Sequence, residues 1–200
     1  IWKQLDLKLL QTFKHPSGVE LRIASTCIDS GYHTKSVYEF CKPRFARRVF
    51  AIKGVAGHGK AIIGRPTRNN IAKIPLFPVG VDSAKELLYS RLRIKDEGAG
   101  YCHFPKHYEQ EYFMQLTAEK IVTKYFKGFP RREFVKIRPR NEALDCRVYS
   151  IASLSVLNTD INKLAERLEI RSEKKDNNIN NKQKSNMKKN KPNFVHSWDA

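Results

Sequence analysis

Three carboxylates in this chain stand where acids do chemistry. Asp29 ends an apolar run, Thr26-Cys27-Ile28, that reads as a strand passing into Ser30-Gly31. Glu142 and Asp145 lie three residues apart in Asn141-Glu142-Ala143-Leu144-Asp145-Cys146, at the start of a long apolar segment, and so share one face of a helix's first turn. Acids gathered together repel unless a cation lies between them. Hard divalent ions such as Mg2+ or Mn2+ are held by few carboxylates, with water and phosphate completing the shell. Two such ions about 3.5–4 Å apart activate a water and stabilise a leaving oxygen, as phosphodiester cleavage requires. Asp29, Glu142 and Asp145 are therefore the candidate catalytic and metal-binding residues. Plainer readings stand beside this one: the helix dipole favours acids in a first turn, and Asp is a common turn residue after a strand.

The elements that must position these acids are set by the pattern. Residues 19–28 read as a strand, apolar on both faces towards its end, which suits a central parallel position. A short helix over 36–41 and a buried strand over 48–53 complete a βαβ unit whose functional edge lies at the strand C-termini, where Asp29 and Lys53 stand. The next segment, Gly54-Val55-Ala56-Gly57-His58-Gly59-Lys60, has the spacing of a phosphate-binding P-loop. Ala61 offers no hydroxyl to a metal, and Ile62-Ile63-Gly64-Arg65-Pro66 opens no helix, so no ATP site is expected. The loop's Lys60, with Arg65 and Arg68, suits a nucleic-acid backbone instead.

Residues 74–81 read as an edge strand because they carry Pro75 and Pro78. Asp82-Ser83 then caps a helix from 84 to 92, with Glu86 as the reciprocal capping-box partner of Ser83. Asp82 is a possible fourth acid, though its place at a cap is the plainer account. Cys102-His103-Phe104-Pro105-Lys106-His107 lacks a second pair of ligands at zinc spacing and reads as a half-buried strand ending at Pro105. The apolar spacing predicts helices over 1–14 and 109–127, and a last strand over 133–137 flanked by Arg131, Arg132, Lys136, Arg138 and Arg140. In the helix opened by Glu142, Leu144, Val148, Ile151, Leu154 and Leu157 form the stripe expected to pack on the sheet, and Ala152, Ser153 and Ser155 permit close approach.

Composition narrows the partners. The 200 residues carry a net charge of +18, and a surface so basic attracts polyanions, nucleic acid foremost. Residues 171–200 hold eight Lys/Arg against three Asp/Glu, leaving 30 against 17 in residues 1–170, so the body of the chain is itself basic. No membrane partner is expected, since no apolar run approaches the roughly 18 residues a span requires. Cys27, Cys41, Cys102 and Cys146 include no Cys-x-x-Cys pair and read as reduced, mostly buried thiols of a cytoplasmic protein. Residues 171–200 are rich in Lys and Asn and poor in apolar groups, a composition expected to be disordered. Phe194 and Trp198 form a small apolar patch there that could dock on a partner.

Seven ordered blocks carry a resemblance. They are Cys27-Ile28-Asp29-Ser30-Gly31-Tyr32-His33-Thr34; Val37-Tyr38; Ile52-Lys53-Gly54; Val79-Gly80-Val81-Asp82-Ser83 with Lys85; His103-Phe104-Pro105; Leu116-Thr117-Ala118-Glu119; and Asn141-Glu142-Ala143-Leu144-Asp145-Cys146. From residue 2 to 157 the chain resembles the nuclease part of the large terminase subunit of lambda-type phages, the GpA family. The resemblance implies an α/β fold, a ribonuclease H-like mixed sheet flanked by helices, over residues 1–170, followed by the basic tail of 171–200. It implies a two-metal endonuclease that cuts concatemeric viral double-stranded DNA in the host cytoplasm, with Lys53, Lys60, Arg65, Arg68, Arg138 and Arg140 as DNA contacts. The small terminase subunit and the procapsid portal are the implied partners. Asp29 falls on the family's second acidic position; Glu142 and Asp145 fall in its last acidic motif, with the main ligand open between them. The family's first acid has no match in residues 1–18, where Asp6 sits in a helical pattern. The opening strands are thus expected to be missing. The alternative is a catalytically incomplete prophage remnant that only binds DNA or a packaging partner.

Overall fold

The computed structural model describes residues 1–68 and 73–173. They divide into two compact units: Ile1–Ile23 with the chain from Thr159 onward, and Ala24–Asn158. In the first unit, helix α1 (Trp2–Leu9) is followed by an antiparallel hairpin of β1 (Thr12–Lys14) and β2 (Glu20–Arg22). The helix expected to reach residue 14 therefore stops early, because Thr12 and Phe13 pair with Arg22 and Leu21, and pairing outweighs a weak helical preference. Residues 161–173 are helical, so the segment expected to be disordered from 171 begins inside a helix. The rest of that expectation, with Phe194 and Trp198, falls on residues outside those described.

The second unit holds a four-stranded mixed sheet in the order β3-β4-β6-β5, formed by β3 (Thr26–Asp29), β4 (Val49–Val55), β6 (Pro75–Gly80) and the two-residue β5 (Thr67–Arg68). The first three strands are parallel and β5 is antiparallel. Helix α2 (Thr34–Cys41) makes the β3-α2-β4 crossover, as the sequence predicts. Two strand positions differ from expectation. The strand expected over 19–28 is two strands, broken at residues 23–25, and β3 lies at the sheet edge, half-buried, beside β4, which is buried from Val49 to Ile52. β6, expected at an edge for its prolines, lies between β4 and β5. Pro78 is tolerated because its carbonyl accepts from Gly64 N–H, so its absent donor faces the side where pairing is sparse.

Helix α3 (Val81–Arg91) begins directly after β6. Its N-cap is Gly80, and no capping box forms from Ser83 and Glu86: Glu86 accepts from His58 across 28 positions instead. Residues 101–105 are irregular, so the half-buried strand expected there is absent. The helix expected over 109–127 is only α4 (Gln110–Leu116). Beyond it the chain forms a two-stranded ribbon of β7 (Glu119–Phe126) and β8 (Phe129–Lys136), paired from Glu119↔Lys136 to Phe126↔Phe129.

Helix α5 (Glu142–Leu157) packs against α3, α4 and β3. The core joins Ile52 and Val79 of the sheet to Ala84 and Leu88 of α3, Leu116 of α4, and Leu144, Val148 and Ala152 of α5. Full burial of Leu144 and Val148 is worth about 1.5–3 kcal/mol each. The stripe runs through Leu144, Val148 and Ala152, whereas Leu154, expected to pack, is exposed. Ala152 and Ser153 allow close approach, and Ser153 reaches Ser25 Oγ at 2.9 Å. The cysteines are unpaired, but only Cys41 is buried; Cys146 is exposed. Burial pushes the Cys27 thiol up to about 11 and the Cys41 thiol to about 12, which keeps both protonated and unreactive.

Candidate active site

Asp29 is the last residue of β3 and lies opposite Ile52 of β4 in the parallel register. Its carboxylate is fixed from two sides. Gly31 N–H donates to Oδ1 at 3.0 Å, and the Tyr149 hydroxyl donates to Oδ2 at 3.3 Å. A Cβ on Gly31 would stand 3.3 Å from Oδ2, so a glycine here is what leaves the carboxylate room. The loop beyond is pinned: Ser30 donates from both N–H and Oγ to the Ile52 carbonyl, and Thr34 Oγ1 donates to the Ser30 carbonyl. Each carboxylate oxygen of Asp29 keeps a further lone pair for another partner.

Tyr149 sits one turn beyond Asp145 on α5, which brings the first turn of that helix to the end of β3. Burial holds the Asp145 carboxyl above the ordinary Asp range. Lys85 opposes that shift, Glu119 adds to it, Lys136 opposes it and Asp29 adds to it. Burial likewise holds the Tyr149 phenol far above its usual range, reinforced by Asp29 and then Asp145, so it remains a neutral donor. Asp29 and Asp145 are thus the two expected acids that the fold brings within reach of each other's charge. Glu142 goes elsewhere. It is exposed and accepts from Arg140 Nε at 3.3 Å, and its own backbone N–H, then Arg140, hold its carboxyl below the usual range.

The sequence reading missed the residues that support this pair. Glu119 begins β7, is buried, and has both oxygens occupied: Lys85 Nζ donates to Oε2 at 2.7 Å and Asn141 Nδ2 to Oε1 at 2.9 Å. Tyr89 donates to the Glu119 carbonyl at 2.9 Å, and Gln115 Oε1 accepts from Ala143 N–H at 3.2 Å. This network ties α3, α4, β7 and the start of α5 together. No described buried side-chain polar atom is left without a partner. One signal for these residues was present, since Lys85, Glu119 and Asn141 each belong to a family-like block although no local pattern explains them.

Asp82 is not aimed at the acids; its Oδ2 accepts from Gly57 N–H at 2.6 Å and ties the glycine loop to α3. The loop runs on to a bridge between Ile63 and Val79. Of the expected DNA contacts, Lys53 lies one residue past the position opposite Asp29. Lys60 lies on the glycine loop, Arg65 on the chain to β5 and Arg68 in β5 itself, with Arg138 and Arg140 on the link into α5. All six are exposed. Arg140 is already engaged with Glu142.

Among the described residues no three His, Cys, Asp or Glu side chains are grouped to hold a metal ion. Asp29 and Asp145 lie within range of each other's charge, and Asp145 bears the energetic cost of its burial. That donor set fits a single hard cation, which takes one or two carboxylates and completes its shell with water and phosphate. Glu119 is the nearest further acid, but an ion would have to displace the Lys85 ammonium from it.

The site thus has one acid at the end of a parallel strand and a second on the helix that packs against that strand. The comparisons with known proteins place it further: residues 1–175 match the family described as terminase large subunit gpA, endonuclease domain, and the chain belongs to that family. It is 35% identical over 162 residues to the terminase large subunit of Enterobacteria phage P21, covering 76% of this chain and 25% of that protein. It is 34% identical over 161 residues to the terminase large subunit of Escherichia phage lambda, again covering 76% and 25%. The chain therefore spans about a quarter of the length of these relatives. No solved structure matches it. Among the described residues, no helix is long and apolar enough to cross a membrane.

Proposed function

We propose that this chain is the DNA-cleaving part of a terminase large subunit, hydrolysing phosphodiester bonds of concatemeric viral double-stranded DNA with Mg2+ or Mn2+ during packaging. The observation that carries this reading is the Asp29 carboxylate held by the Tyr149 hydroxyl at the end of β3, with the half-buried Asp145 one turn before that tyrosine on α5. A bound divalent ion would supply an activated water and charge stabilisation for the leaving oxygen. Asp29 and Asp145 would hold it, while Tyr149 and the Gly31 N–H keep the Asp29 carboxylate in one orientation. Glu142, exposed at the rim, is free to contribute only if it leaves Arg140. A second ion calls for carboxylates beyond those the described residues bring together. The ribonuclease H-like description of the fold belongs to the same proposal, supported by the mixed sheet and the acid at a parallel strand's end. So do the small terminase subunit and procapsid portal as partners, and the host cytoplasm as the place of action.

The test is nicking of supercoiled plasmid with Mn2+ or Mg2+. Asp29→Ala and Asp145→Ala are each expected to reduce nicking by more than about a hundredfold, beyond the usual range for a supporting residue. Equal cleavage by both variants and the wild type would remove the assignment. A second reading, DNA binding without cleavage, is favoured by one observation: among the described residues no three His, Cys, Asp or Glu side chains are grouped as a two-ion site needs. It expects no metal-dependent nicking from the wild type either.

A further inference from the structure

The acidic site leaves two exposed features unused, the β7–β8 ribbon and the glycine loop, and these face each other. A cleft of about 770 Å³ lies between them, with His58 and Lys60 on the loop side and Arg131 and Arg132 on the ribbon side. Its acids are held: Asp82 accepts from Gly57 N–H, and Glu133 pairs with Lys124 at 2.9 Å. Among the described residues Arg131 and Arg132 form no ion pair. The lining thus carries three cations, Lys60, Arg131 and Arg132, against the two engaged carboxylates of Asp82 and Glu133.

The outer half of the ribbon adds a second observation. Residues 123–132 are exposed throughout and carry Lys124, Lys127, Arg131 and Arg132 with no acid. Pairing puts Lys124 beside Arg131 and Phe126 beside Phe129 on one face. Phe126 is 56% exposed, Phe129 75% and Tyr125 76%, so these rings give nothing to the core. The Arg131 guanidinium and the Lys127 ammonium lie over the Phe126 ring at 5.3 and 5.6 Å. Rings interleaved with cations on a bare two-stranded ribbon match the chemistry of a nucleic-acid duplex, whose phosphates take the charges while its sugars and base edges take the rings. A two-stranded ribbon also fits the major groove.

We propose that the ribbon and the glycine loop form a DNA-holding clamp, with duplex phosphates running along the cleft between Lys60 and Arg131–Arg132 and the Phe126–Phe129 tip against the groove. The clamp rests on the DNA-cleavage reading for the identity of its polyanion. It is tested by fluorescence anisotropy with a labelled DNA duplex in the absence of divalent metal, so that binding is read without cleavage. Arg131→Glu with Arg132→Glu is expected to weaken binding at least about tenfold and to flatten the salt slope by about two, one for each phosphate that is no longer neutralised. Phe126→Ala with Phe129→Ala should weaken it while leaving the salt slope unchanged. Circular dichroism melts within error of the wild type would show that these solvent-facing changes leave the fold intact. Full duplex affinity in both ribbon variants would overturn the clamp, and would assign the tip to a protein contact, while leaving the cleavage reading standing. Failure of the wild type to bind any duplex would overturn both.

Discussion

Burial raises the Asp145 carboxyl above its unfolded value, and the sign of that shift has a consequence for stability. The folded state binds its proton more tightly than the unfolded chain does. The associated stabilisation is complete at pH values below the unfolded pKa and is lost as pH rises through the folded one. At neutral pH and without metal, Asp145 therefore weakens the fold. Asp145→Asn is expected to raise the melting temperature at pH 7 and to lose that advantage near pH 3, as thermal unfolding across pH would read. A wild-type advantage at pH 7 would contradict the burial. Glu119 has the opposite character, because its charge is fully answered by Lys85 and Asn141. Glu119→Ala leaves the Lys85 ammonium buried without a partner and should cost about 3–5 kcal/mol in chemical denaturation. Gly31→Ala is a gentler probe. It presses a methyl towards the Asp29 carboxylate and should lower nicking more than it lowers stability.

At the scale of elements, α2, β4, α3 and α5 were legible because burial periodicity and chain punctuation agree there. Val49 to Ile52 is a continuous apolar run, and Leu144 and Val148 recur at helical spacing. The acid at the end of β3 was legible for the same reason, since Ser30-Gly31 marks where that strand must stop. The ribbon was not legible, because Tyr112, Phe113, Leu116, Ile121, Val122 and Tyr125 satisfy a helical period through a Thr-Ala break that carries no proline or glycine. The β-branched run Ile121-Val122-Thr123 and the Lys127-Gly128 pair were the contrary signal. Both turn residues have positive φ, 50° and 80°, as a two-residue type I′ hairpin turn requires. The network around Glu119 was beyond reach for another reason: its partners lie 34 and 22 positions away, and no local pattern encodes that meeting. Gly128 makes the turn testable. Nothing lies within 4 Å of a Cβ there, so Gly128→Ala has only the backbone cost, about 1–2 kcal/mol. It should speed amide exchange at the ribbon tip and leave the core amides unchanged.

For the whole molecule, a net charge of +18 makes ionic strength the dominant variable in any encounter with DNA. Duplex affinity should fall linearly on logarithmic axes, with a slope steeper than about −3 if the clamp and the rim cations contact several phosphates together. A slope near zero would show that the charge serves solubility alone. The ribbon also sets how far this basic surface extends. The chain leaves the body at Glu119 and returns opposite it at Lys136, with Ile137 N–H closing onto the Ala118 carbonyl at 2.8 Å. The body meets the base of the excursion, where Phe134 packs on Tyr89 and Lys85, and the exposed residues 123–132 are not constrained by the core. Strand alternation makes that number matter by parity. Adding one residue to each strand beyond Thr123 and Arg132 would turn the tip over and present the rings on the opposite face. Adding two to each would restore the face and lengthen the reach by about 7 Å. Related chains can thus change the reach of this ribbon in steps of four residues without altering the network around Glu119.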